Sequence, residues 1–92
     1  MILRALTNGA ITSADTVTVK SQIVGGILIT ADGTNDATVA INRDDTNGKP
    51  VIEVVTKTPL WITGPFSLEG TESAYVSVSG TGAAVQVYEW VT

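Results

Sequence analysis

The chain contains no cysteine and no histidine. Their absence excludes disulfide staples, thiolate nucleophiles, zinc sites built on imidazole or sulfur, and every triad or general-base scheme that needs an imidazole. It does not fix a compartment, since a reduced cytosol and a cysteine-free particle surface both fit. Basic residues are few as well: Arg4, Lys20, Arg43, Lys49 and Lys57 are the only five, scattered along a chain of net charge −4. Binding to a phosphate backbone needs a basic patch, so nucleic acid is not an expected partner. No window approaches the 18 or so consecutive apolar residues of a membrane span, and the opening Met1-Ile2-Leu3 run is too short for the apolar region of a secretory signal. The expected product is a soluble protein made in the cytoplasm of its host, with no membrane partner.

Charged residues make up 15% of the 92 residues, against about 25% in an average soluble domain, so exposed positions fall largely to Thr, Ser, Gly and Asn. Such a skin costs less to desolvate than a charged one, which suits a protein packed against neighbours. Val, Ile and Thr together supply roughly a third of the chain, and these β-branched types fit a pleated, half-buried surface. Short alternating runs separated by turn residues recur about every eight to twelve positions, and no segment has helical periodicity. The expectation for residues 1–92 is one all-β domain: a small antiparallel β-sandwich, jelly-roll or immunoglobulin-like, of about eight short strands.

Local signals give provisional pairings. Asn8-Gly9 and Asn47-Gly48 have the residues of a type I′ turn, whose two central positions need positive φ, and predict hairpins; the second pairs Ile41 with Val54. Asp15 to Ser21 alternates with Val17 and Val19 inward. Gly25-Gly26 inside Ile23 to Ala31 predicts a bulge or a close backbone approach. A five-residue loop, Asp32 to Asp36, pairs Ile29 with Val39 in the next hairpin. Lys57 to Gly70 is less regular, and the prolines at 59 and 65 limit it to a short edge strand. Tyr75 to Val91 is the strongest hairpin signal of all. Two alternating runs meet at Gly80-Thr81-Gly82, and pairing Val78 with Val85 and Val76 with Val87 sets Tyr75 opposite Tyr88, with Trp90 on the same face.

Chemistry-bearing clusters are sparse. Asp32, Asn35 and Asp36, and the run from Arg43 to Gly48, lack the ligand spacing of a calcium loop, whereas Asp and Asn are the residues that turns prefer. No metal and no cofactor is expected. Glu53, Glu69, Glu72 and Glu89 cannot be placed as a catalytic pair, and the chain is not expected to be an enzyme. Glu89 falls on the valine side of the last strand, where it is expected to meet water or a neighbouring subunit beyond the core. The five aromatics leave three readings open. Phe66 and Trp61 fit a core and Tyr75 with Tyr88 a cross-strand pair; Trp and Tyr also serve as interface anchors; and a flat ring can carry a sugar.

The run VGGILITADGTNDATVAI (Val24 to Ile41) and the closing YVSVSGTGAAVQVYEWV (Tyr75 to Val91) resemble small virion proteins of tailed bacteriophages, over about two-thirds of the chain. The shared features are structural, with no active-site residues to carry over. The resemblance implies a β-sandwich on the capsid surface, a cement or decoration protein whose partners are the major capsid protein and itself, commonly as a homotrimer. It also leaves open a head–tail connector or tail component. A receptor or carbohydrate-binding module is a further alternative. The expected protein-interface residues are Tyr75, Tyr88 and Trp90, followed by the Met1-Ile2-Leu3 arm.

Overall fold

The computed structural model describes residues 2–6, 8–44 and 49–91. Eight strands occupy them: β1 (Ile2–Ala5), β2 (Asp15–Thr18), β3 (Ile23–Thr30), β4 (Ala37–Arg43), β5 (Pro50–Thr56), β6 (Leu60–Ser67), β7 (Ser73–Ser79) and β8 (Ala84–Val91). They form two four-stranded antiparallel sheets, sheet I in the order β1-β8-β3-β6 and sheet II in the order β2-β7-β4-β5. First pairs with last, second with seventh, third with sixth and fourth with fifth. The chain is therefore one long antiparallel ribbon, doubled back between β4 and β5 and rolled so that its turns fall alternately into the two sheets. That nesting is the jelly roll, one of the two sandwich arrangements expected from the sequence.

Alternation along each strand puts one row of side chains between the sheets. Val17, Val39, Ile41, Val76 and Val78 face inward from sheet II and meet Val24, Ile27, Ile29, Val85 and Val87 from sheet I, while Leu6, Ile11, Val19 and Leu68 close the ends from outside the strands. Each large apolar side chain fully withdrawn from water in this way contributes about 1.5–3 kcal/mol.

The rolled topology corrects three expected hairpins. β7 and β8 are consecutive but lie in different sheets, so Val78 and Val85 face across the core instead of sitting side by side. A hairpin and a crossover between sheets bury the same valines, and alternation alone cannot separate them. The roll gives β7 hydrogen-bonding neighbours on both sides, β2 and β4, and gives β8 β1 and β3. An isolated hairpin would leave each with one open edge. For the same reason β3 and β4 are not a hairpin, and Ile29 and Val39 belong to opposite sheets.

At Asn8-Gly9 the chain does not reverse. Leu6 donates to the Val87 carbonyl (3.0 Å), and Ile11 exchanges two bonds with Val85 (2.8 and 2.9 Å), so the chain leaves the β8 edge and returns to it. Bonding both ends to an existing strand is favoured over a short two-stranded hairpin, which is marginal alone. β4 and β5 do pair, but Ile41 lies opposite Ile52 and Val39 opposite Val54. The two-residue offset keeps every side chain on its expected face; the Asn47-Gly48 turn itself lies outside the described residues. β6 is the expected edge strand, though eight residues long, with Pro65 inside it after a cis Gly64–Pro65 bond.

Candidate interaction surface

The outward positions of sheet I carry most of the aromatic side chains. On β8, Val85, Val87 and Glu89 point inward, which turns Gln86, Tyr88 and Trp90 outward. Pairing extends that face across the sheet in rows: Leu3 beside Trp90; Ala5, Tyr88, Gly26 and Thr63; and Gln86, Leu28 and Trp61. The register of β3 shifts between Val24 and Gly26. That irregularity is the expected bulge. The extra residue lets Val24, Ile27 and Ile29 all reach the core while Gly25 and Gly26 line the outer surface.

The two glycines leave a trough into which rings from both neighbouring strands settle. A Cβ on Gly25 would collide with the Trp90 indole and with Leu3 Cδ2, and one on Gly26 would lie 2.6 Å from the Trp61 ring. With no side chain between them, Trp61 of β6 and Tyr88 of β8 meet across β3, ring centroids 5.3 Å apart and planes at 75°. This edge-to-face geometry suits the ring quadrupoles. Trp61 Nε1 donates to Thr63 Oγ1 at 2.7 Å, which fixes the indole. Trp90 Nε1 is buried and has no hydrogen-bond partner among the described residues. Leu3, Leu28 and Trp61 remain 42%, 39% and 40% exposed. No Asp, Glu, Lys or Arg stands among these outward positions.

The outer face of sheet II is chemically different. Its rows read Thr18 with Ser73; Thr16, Tyr75 and Asn42; Ser77, Ala40 and Glu53; and Ser79, Thr38 and Val55. Hydroxyls dominate it. Tyr75 is thus on the opposite side of the molecule from Tyr88 and Trp90, and the expected Tyr75–Tyr88 pair does not exist. Of the expected interface residues, Leu3, Tyr88 and Trp90 come together, Ile2 is exposed at the β1 end opposite Val91, and Met1 lies outside the described residues. Trp61 and Leu28 belong to the surface and were missed. Their signal was the alternation of Trp61-Ile62-Thr63 and of Ile27-Leu28-Ile29.

Glu89 departs from its expected setting. It is 4% exposed, and Oε2 accepts from Arg4 Nη2 at 3.0 Å and Nε at 3.3 Å, while Oε1 accepts from the Ser21 amide at 3.3 Å. Arg4 is its inward neighbour on β1, and the same register that sets Leu3 beside Trp90 delivers the guanidinium. A groove of about 440 Å³ opens there, lined by Arg4, Leu6, Asn8, Thr16, Thr18, Lys20 and Glu89. Among the described residues that line it Glu89 is the one acid, and both its oxygens are engaged by the three donors above.

Asp32 closes the β3–β4 crossover. Oδ1 accepts from the amides of Thr34 and Asn35 and Oδ2 from Asn35 Nδ2, each at 2.8 Å. The Asn35 amide first, then its side chain and the Thr34 amide, hold the carboxyl below its ordinary value. The cluster does the work of a turn. Among the described residues no group of three or more acids, His or Cys could hold a metal ion.

Comparison of the chain with protein-family models, with curated proteins and with solved structures found no match.

Proposed function

We propose that the chain is a structural virion protein of tailed bacteriophages, a capsid cement or decoration protein that binds the outer capsid lattice and bridges capsomers. The observation that carries this reading is the pair of unlike outer faces. A protein that reinforces a shell needs one face for the lattice and one for a neighbour, and this sandwich offers an uncharged aromatic face on sheet I and a hydroxyl-rich face on sheet II. Leu3, Trp61, Tyr88 and Trp90 are the anchors of the first, since half-buried Trp and Tyr concentrate binding energy at protein interfaces. Tyr75 is the ring of the second. The resemblance of the Val24 to Ile41 and Tyr75 to Val91 runs to phage virion proteins supports the same reading, with the major capsid protein and other copies of the chain as partners. No catalysis is involved. The protein binds the expanded, correctly assembled shell and not its unassembled subunits, which shifts the equilibrium toward the intact shell by mass action.

Co-sedimentation with expanded shells of its own particle, purified without it, tests the proposal. Saturable binding at a fixed ratio to capsomers is expected; free protein left in the supernatant at every concentration would refute it. A glycan-binding module is the second reading, favoured by the exposed Trp61 ring, which is hydrogen-bonded to Thr63 and shares a row with Leu28 and Gln86. Specific signals on a glycan array, lost in Trp61→Ala, would move the assignment there.

A further inference from the structure

We propose that the outer face of sheet I is a self-contact: two copies of the chain pack this face against each other, sheet on sheet, about a two-fold axis. The inference rests on reading this face as a protein interface and names its occupant, leaving the hydroxyl face of sheet II to meet the lattice.

Charge selects the occupant. Each copy carries a net charge of −4, so two copies repel through most of their surface. The outward positions of sheet I hold no charged side chain, and contact through them brings no like charges together. Size is compatible with this contact. At about 4.8 Å between strands and about 3.3 Å per residue the four strands of sheet I outline a face of roughly 500 Å², so two copies bury on the order of 1,000 Å² in all, the lower bound of a specific interface. The apolar side chains also run across the whole face, from Leu3 on β1 through Trp90 and Tyr88 on β8 and Leu28 on β3 to Trp61 on β6. A two-fold contact uses the same patch on both copies, and one continuous patch suffices for it, whereas a head-to-tail ring needs two different patches. Sheets packed face to face also interdigitate their side chains, and here large rings stand beside the low ground left by Gly25 and Gly26.

Light scattering coupled to size exclusion, on the full chain over a range of concentrations, tests this. The expected mass is near twice 9.5 kDa. Trp61→Lys and Leu28→Lys each place two cations in the contact and are expected to weaken the dimer at least tenfold or so, with an unchanged β circular-dichroism spectrum. Val55→Lys, on the outer face of sheet II, is expected to leave the mass alone. Should Trp61→Lys fail to fold, Leu28→Lys decides. A wild-type monomer or trimer, or a folded Leu28→Lys protein that stays dimeric, would overturn the self-contact. Shell binding measured on the same preparations keeps the two proposals apart: a dimer that ignores shells refutes only the virion reading, and a monomer that binds them refutes only the self-contact.

Discussion

Gly25 and Gly26 are defined by the groups that fill the space above them. Trp90 and Leu3 occupy the position of a Gly25 side chain, and Trp61 that of Gly26. Gly25→Ala is therefore expected to lose about 1–3 kcal/mol, the usual cost of overpacking, with a change in Trp fluorescence as the indole is lifted. Equilibrium urea unfolding measures the first and an emission spectrum the second; wild-type values in both would mean that the rings do not seat on the glycines. Arg4 and Glu89 make a second residue-scale case. Removing the guanidinium leaves a buried carboxylate short of two donors, so Arg4→Met should cost about 1–3 kcal/mol, and the Arg4→Met, Glu89→Met double variant should recover most of that loss. Equal destabilisation in single and double variants would contradict the pairing. Asp32 sets a pH dependence of known sign. Its folded value lies below the ordinary 3.8, so its contribution is fully present above the unfolded value and is lost as pH falls through the folded one. Unfolding free energies of wild type and Asp32→Ala should differ by a constant amount near neutrality and converge as the medium is made more acidic than the ordinary carboxylate value.

At the scale of elements, the alternation of Val17, Val39, Ile41, Val76, Val85 and Val87 made the strands and their inward faces legible in the sequence, because a period of two is a local property of the backbone. Pairing was legible for β4 with β5, to within two residues, and not for the strands that cross between the sheets. Whether Val78 lies beside Val85 or across from it depends on which other strands compete for the edges of β7, and that competition involves residues as distant as Asp15. The candidate surface shared this fate: Tyr88, Trp90 and Leu3 were readable as outward residues, but Tyr75 was assigned to their face through the hairpin, and Trp61 was hidden behind Pro59. The bulge at Gly25-Gly26 was readable because paired glycines inside a strand leave little else to expect. Engineered cross-links test the topology. Cysteines at Ala40 and Ser77, directly paired between β4 and β7, are expected to form a disulfide on mild oxidation, whereas cysteines at Ser77 and Gln86, partners only in the hairpin, are expected to stay reduced. The reverse pattern would restore the hairpin.

At the scale of the molecule, the roll assigns each sheet one inner and one outer face, and the two outer faces diverge in chemistry. Sheet II keeps the Thr and Ser skin that the composition foretold. Sheet I presents rings without charges, a surface that is costly to leave in water and inexpensive to cover. The two-sheet architecture places these faces back to back, which suits the proposed layer between a lattice and a neighbour. The measurement that bears most directly on the proposed role is the heat stability of expanded shells with and without the purified protein, read as the temperature at which they release their contents. A higher release temperature is expected with the protein bound, rising with occupancy until the sites are full. Release at the same temperature with every site occupied would contradict it.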